Sequence, residues 1–221
     1  MTSKVNFIFD KEKDLYNIWE TCNSNSDWHD FKKGLNPDDL RVAKGKNFEE
    51  CKDELRKAYE KLHESKLIEI FINSLKKGWG AINDEFFRRL EIIMKKPICS
   101  ETFISYITTV GRCPYNPEEN SFMVSLFYSI PQALVTIGHE IMHLCFHRFY
   151  WEDIEDKIGK EKTADLKEAL TVLLNLEFKD LLFGKDRGYD CHQKLREFIE
   201  KEWKEKKDFG VLMEKCVEYL K

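Results

Sequence analysis

Between Ser129 and Trp151 the chain has almost no polar face, yet it sets two histidines and a glutamate inside that stretch. Ala133, Leu134, Val135, Ile137, Ile141, Met142, Leu144, Cys145, Phe146, Phe149, Tyr150 and Trp151 cover nearly every direction around a helix. A helix that is apolar all round is a buried one. Its start is legible in the sequence, with Ser129 as N-cap, Gln132 closing a capping box and Pro131 tolerated in the first turn. Two imidazoles and a carboxylate buried without partners would cost several kcal/mol, so such groups pair or hold a metal.

The residues concerned are His139-Glu140-Ile141-Met142-His143. On an α-helix, positions i and i+4 project from one face a turn apart, so both imidazoles can reach one tetrahedral cation. Glu140 lies to the side of that pair, where it can take a proton from a metal-bound water without being a ligand. The competing structural reading makes His139 and His143 hydrogen-bonded core histidines and Glu140 a salt-bridge partner.

A catalytic metal needs a third protein ligand and an open position for water. His147 is nearest, but a straight helix sets its α-carbon about 12 Å from that of His139. No glycine turn in Leu144-Cys145-Phe146 bends the chain back, so His147 reads as a supporting or helix-terminal histidine. Glu168 is the preferred candidate, because it lies early in the next helix, where the small Ala169 permits close packing. Asp165, Glu161 and the cluster Glu152, Asp153, Glu155 and Asp156 remain alternatives.

The rest of the chain bounds the possibilities. The 221 residues suffice for one large or two small domains. Thirty-six basic against 40 acidic side chains leave a formal charge of -4, which offers no global field for nucleic acid or an anionic membrane. No apolar run has bilayer length, and the first residues lack the apolar core of a signal peptide, so a soluble cytoplasmic protein is expected. The 7 cysteines are odd in number, scattered and without a CxxC pair, as befits reduced thiols.

Along the chain, a short apolar start (Val5 to Phe9) precedes a helix near Asp10 to Cys22. Amphipathic helices fill Asn47 to Met94, broken around Gly78-Trp79-Gly80. The period then changes. Thr102 to Val110 and Ser121 to Tyr128 are rich in β-branched and aromatic residues and form strands of a small sheet, the second feeding directly into the His-Glu-x-x-His helix. One long helix from Thr163 to Phe183, stopped by Gly184, and two more helices near Tyr189 to Lys206 and Phe209 to Leu220 complete an α+β, predominantly helical chain. The division expected is a helical N-terminal region, 1–98, and a catalytic region with C-terminal helices, 99–221.

Over about residues 100–185 the chain resembles the gluzincin branch of the zincin-like metallopeptidases. The resemblance rests on His139, Glu140, His143, the later Glu168 and the strand just upstream. It implies a zincin-like core, one Zn2+ per chain held by His139, His143 and Glu168, and hydrolysis of a peptide or protein substrate with Glu140 as general base. It also implies that the upstream strand binds substrate as an edge strand, giving Phe122, Val124 and Leu126 a role in recognition. Tyr189 and His192, after the Gly188 turn, are candidate oxyanion donors. The sequence departs from the family one turn after Glu168, where Val172 replaces the Asp that orients a zinc-bound histidine; Thr171 or Asn175 could serve instead. His29 and Asp30, beside Trp28, could cap the metal in a latent form. The alternatives are a regulatory protease similar to the ImmA/IrrE-type regulators, with one protein target, and a non-catalytic interaction protein with a structural metal site.

Overall fold

Apolar periodicity and local caps account for most of the helices. In the computed structural model, which describes residues 3–26 and 28–221, Asp10 caps α1 (Lys11–Asn23) by accepting from the Lys13 N–H at 3.0 Å. A short 3-10 turn (Phe31–Gly34) leads to α2 (Pro37–Ala43) and α3 (Phe48–His63). Ser65 then caps α4 (Lys66–Gly80), and α5 (Asn83–Met94) follows. The expected break at Gly78-Trp79-Gly80 falls just later, because Trp79 stays inside α4, buried, with its indole N–H donating to Asn83 Oδ1 at 2.9 Å.

The chain is mostly helical, with a small mixed sheet in the order β1-β2-β4-β3. Strands β1 (Lys4–Ile8), β2 (Thr102–Thr108) and β4 (Ser121–Ser125) run parallel, and the two-residue β3 (Tyr115–Asn116) runs antiparallel to β4. The sheet thus draws one strand from the first region and three from the second. Phe103, Ile107, Phe122 and Val124 enter the main core, where they meet Phe86, Phe87, Ile141 and Leu173.

On this sheet lies α6 (Ile130–Phe149), capped by Ser129 Oγ, which accepts from the Gln132 N–H at 3.3 Å. Its residues are buried from Ala133 to Phe146 with the exception of His139, as its near-continuous apolar surface requires. After α7 (Trp151–Ile158), the single helix expected from Thr163 to Phe183 is three pieces: α8 (Lys160–Leu170), α9 (Val172–Glu177) and α10 (Lys179–Leu182). The first break has a local cause. The Thr171 hydroxyl donates to the carbonyl of Glu168 at 2.7 Å, a side-chain bond that competes with the helical ladder. The last piece is stopped by Phe183, which adopts the left-handed conformation at φ 53°. Gly184 has another task, because a β-carbon there would stand 2.7 Å from Val135 Cγ2 and 3.1 Å from the Pro131 carbonyl. Only glycine lets this segment run against the start of α6. A 3-10 turn (Asp190–His192), α11 (Gln193–Glu205) and α12 (Phe209–Leu220) complete the chain.

A second, smaller core joins Leu15, Ile18, Val42, Cys51, Leu55 and Val110. At its edge the buried Asp14 carboxylate accepts from Thr108 Oγ1, from the Thr109 N–H and from Thr109 Oγ1, each at 2.7 Å, and lies 2.8 Å from His63 Nε2. Asn17 Nδ2 donates to the Arg112 carbonyl at 2.9 Å. These bonds fasten the loop between β2 and β3 to α1, and that loop forms one wall of the cavity described below. All 7 cysteines are free thiols. No helix among the described residues is long and apolar enough to cross a membrane.

Candidate metal centre

Helix α6 and the C-terminal half of α8 bring three donors together. The ligand atoms of His139, His143 and Glu168 all lie within 4.8 Å of one another. Glu168 Oε2 is 3.4 Å from His139 Nε2, and Oε1 is 3.2 Å from His143 Nε2. Two atoms in this cluster are unmatched among the described residues: His143 Nε2 lies outside hydrogen-bonding geometry, and Glu140 Oε2 has no partner. Buried polar atoms are rarely left so. Two imidazole nitrogens and a carboxylate around a common point, with a further carboxylate beside them, form a group that can hold a metal ion.

The histidines are aimed by residues far along the chain. Asp186 Oδ2 lies 2.7 Å from His139 Nδ1 and fixes the ring with Nε2 toward Glu168. Asp186 is itself held on every side. Arg196 of α11 reaches Oδ1 at 2.8 Å, Thr171 Oγ1 lies 2.9 Å from the same oxygen, and the Asn175 amide makes two bonds to the Asp186 backbone at 2.7 and 2.8 Å. The orienting carboxylate absent one turn after Glu168 is thus supplied by the segment after α10. Thr171 and Asn175, both considered for that task, hold Asp186 in place of touching a histidine.

No family model, curated protein or solved structure matches this chain.

The electrostatics follow from enclosure and charge. Burial opposes an imidazolium at His139, but the Asp186 carboxylate overrides it and holds the pKa well above the ordinary histidine value. Burial and the nearby Lys167 ammonium push His143 down to about 3, leaving a neutral ring. Burial raises Glu140 to about 8, against the pull of His139. Burial acts the same way on Glu168, yet the two histidines and Lys167 hold its pKa well below the usual carboxylate range. Without a metal the group is a set of mutually compensating charges, which a cation would replace by displacing protons.

A cavity of about 830 Å³ opens onto the cluster. Its walls include Cys113 and Tyr115 from the β2–β4 connection, Trp28 and His29 from the loop after α1, and Lys167 and Tyr189. Tyr189 thus lines the same cavity as the cluster, and its hydroxyl is held above the ordinary tyrosine pKa by burial and by Glu168 and Glu140. His192 is not. Its ring turns inward to Asp165, with Nε2 at 2.9 Å from Oδ1, and packs beneath Tyr189 and Trp28 outside the cavity wall. Asp165 is thereby engaged away from the cluster. His147 stacks on Trp151 with ring centres 4.2 Å apart and takes no part in the cluster. His29 lines the cavity, whereas Asp30 caps the short 3-10 turn by accepting from the Lys32 N–H at 3.2 Å.

The expected substrate-recognition residues need correction. Phe122, Val124 and Leu126 are core side chains, 1%, 0% and 9% exposed. Strand β4 is not a free edge either, because β3 pairs with Ser121 and Phe122, and the Met123 N–H donates to the Pro114 carbonyl at 2.9 Å. Gly111 to Tyr115, rather than β4 itself, line the cavity, as do Lys185 to Tyr189.

Asp186, Arg196, Lys167 and Tyr115 escaped sequence reasoning. Only Lys167 had a local signal, its adjacency to Glu168, and a lysine on a helix ordinarily reads as solvated. Asp186 meets His139 through a close approach that no spacing encodes.

Proposed function

We propose that this protein is a zinc-dependent peptidase of the gluzincin type, built on a zincin-like core and acting on a peptide or protein substrate. The observation that carries the reading is the convergence of His139, His143 and Glu168 beside the unpartnered carboxylate oxygen of Glu140. The donor set is that of a catalytic zinc site, in which three protein ligands leave one position open. When bound, zinc supplies Lewis acidity toward the peptide carbonyl and acidifies a water.

The chain's own residues do the rest. Asp186 keeps the proton of His139 on Nδ1, so that Nε2 remains a donor to metal. Glu140, whose Oε2 stands free beside the donors, takes a proton from the attacking water and delivers it to the departing amine. Tyr189, in the cavity wall, is the hydroxyl available to the developing oxyanion. The wall from Gly111 to Tyr115 offers the backbone along which an extended substrate would lie.

The test is zinc content after metal-free purification and stoichiometric zinc addition, on the wild type, His143→Ala and Glu168→Ala, followed by a peptide-library assay with Glu140→Gln as control. One zinc in the wild type, its loss in both ligand variants, and cleavage abolished in a zinc-loaded Glu140→Gln are expected. A wild type that binds no zinc refutes the reading.

A further inference from the structure

Lys167 neither holds the metal nor moves a proton in the zinc-peptidase reading, yet its ammonium stands at the centre. The residue is 6% exposed, its Nζ lies 2.8 Å from Glu168 Oε1, and it sits 4.5 Å from the centre of the Tyr115 ring, whose face helps hold a cation in place. It lines the cavity together with His139, Glu140 and His143. The Glu168 oxygen it touches is the one 3.2 Å from His143 Nε2, so the ammonium and the metal donors crowd a single carboxylate oxygen.

The charges of the loaded centre do not cancel. A dication held by two neutral imidazoles and Glu168, with a neutral water in the open position, keeps one positive charge, which Glu140 offsets. Asp186 and Arg196 neutralise each other at 2.8 Å. Lys167 is left over, and its one carboxylate partner is then shared with the metal. An enclosed charge without a counter-charge is costly, so the loaded centre favours a ligand that brings one negative charge of its own. The sign continues toward the mouth. Lys185 and Arg187 are exposed cavity-lining residues that make no ion pair among the described residues, whereas Arg112 is committed to Glu20 at 2.5 Å.

Resting on the zinc-peptidase reading, we propose that the substrate presents a carboxylate to Lys167 next to the scissile bond. That carboxylate is either a free C-terminus or an Asp or Glu side chain. Lys167 is the residue that selects for it, with Lys185 and Arg187 drawing acidic chains to the mouth.

Three peptide hydroxamates of one core sequence make the test, titrated by calorimetry into zinc-loaded protein whose zinc content is measured in parallel. One probe ends in a free carboxylate beside the hydroxamate, one ends in a carboxamide, and one is amidated but carries Asp at that position. The hydroxamate brings the same charge to the metal in all three, so the comparison isolates the added carboxylate: one carboxylate probe is expected to bind the wild type at least about tenfold tighter than the carboxamide probe, the strength of a charge-assisted hydrogen bond in an enclosed site. Which of the two gains identifies the source of the carboxylate. In Lys167→Gln the preference should fall to within about twofold at unchanged zinc content, and Lys167→Arg should retain it. Equal binding of all three probes by the wild type overturns the proposal, and that comparison needs no variant. A preference that survives in Lys167→Gln overturns the role of Lys167. Zinc-loaded wild type that binds none of the probes overturns the peptidase reading itself, and the silence of the carboxamide probe tells that failure apart.

Discussion

Replacing Asp186 by Asn changes one atom and tests how the centre is aimed. Asp186 accepts at His139 Nδ1 and from Arg196, and it is 6% exposed. An asparagine of the same shape has one acceptor oxygen. If that oxygen serves Arg196, the amide NH2 faces His139 Nδ1, which must then accept, and the ring proton moves to Nε2 where the metal would bind. If the oxygen serves His139, Arg196 faces the amide group and keeps Thr171 Oγ1 and the Asp186 carbonyl, each at 2.8 Å, with the Glu168 carbonyl at 3.5 Å. Loss of such an orienting partner typically lowers metal affinity about 10- to 100-fold, which is about 1.4 to 2.7 kcal/mol. Breaking a buried ion pair costs about 3–5 kcal/mol, and the bonds that Arg196 retains place the loss at the lower end. Both effects are measurable on one sample, affinity by competition against a chromophoric zinc chelator and stability by urea unfolding of the metal-free protein. Zinc affinity within twofold of wild type in a folded Asp186→Asn would refute the idea that Asp186 sets the state of His139.

Zinc affinity should rise with pH, because the metal must displace the proton that Asp186 stabilises on His139 and Glu140 holds a second one with its pKa near 8. Below neutrality the logarithm of the affinity should climb by at least about one per pH unit; calorimetry in buffers of different ionisation enthalpy counts the protons, and binding without proton release would contradict the charge states described. Gly184→Ala drives a β-carbon to 2.7 Å from Val135 Cγ2 and should cost about 1–3 kcal/mol in thermal or chemical unfolding, since the neighbouring Pro131 backbone cannot yield. An unchanged melting curve would argue against the tight passage. Phe122→Ala should lower stability by about 3–5 kcal/mol and leave the KM of any peptide substrate unchanged, because the ring fills the core; a raised KM at full stability would restore Phe122 to substrate recognition.

Features that rest on local chemistry were legible in the sequence. Ser129 caps α6, the apolar surround of that helix is its burial, and His139, His143 and Glu168 do converge. What could not be read depends on chain segments that meet from afar. The apolar stripe runs on through Thr171, so nothing in its period shows that α8 ends there. Asp186 reaches His139 only because Phe183 turns left-handed and Gly184 slips past Pro131. The gluzincin resemblance implies an edge strand at β4, and the composition of the strand, which is that of any strand, says nothing against it. The strand's burial on both faces, with Ser121 at 4% and Ser125 at 1% exposure, is a property of what packs around it.

The parallel pairing of β1 with β2 also sets a schedule for the chain's birth. Lys4 takes its place opposite Thr102, so β1 leaves the ribosome long before its partner strand β2 exists. At roughly 5–20 residues per second the wait is on the order of 5–20 s. For that time a strand bearing Val5 and Phe7 is exposed to whatever else can pair with it, and α1 to α5 must gather without the sheet they will cover. Contacts so distant in sequence form slowly, and the metal centre must wait longer still, until its supports Asp186 and Arg196 have emerged.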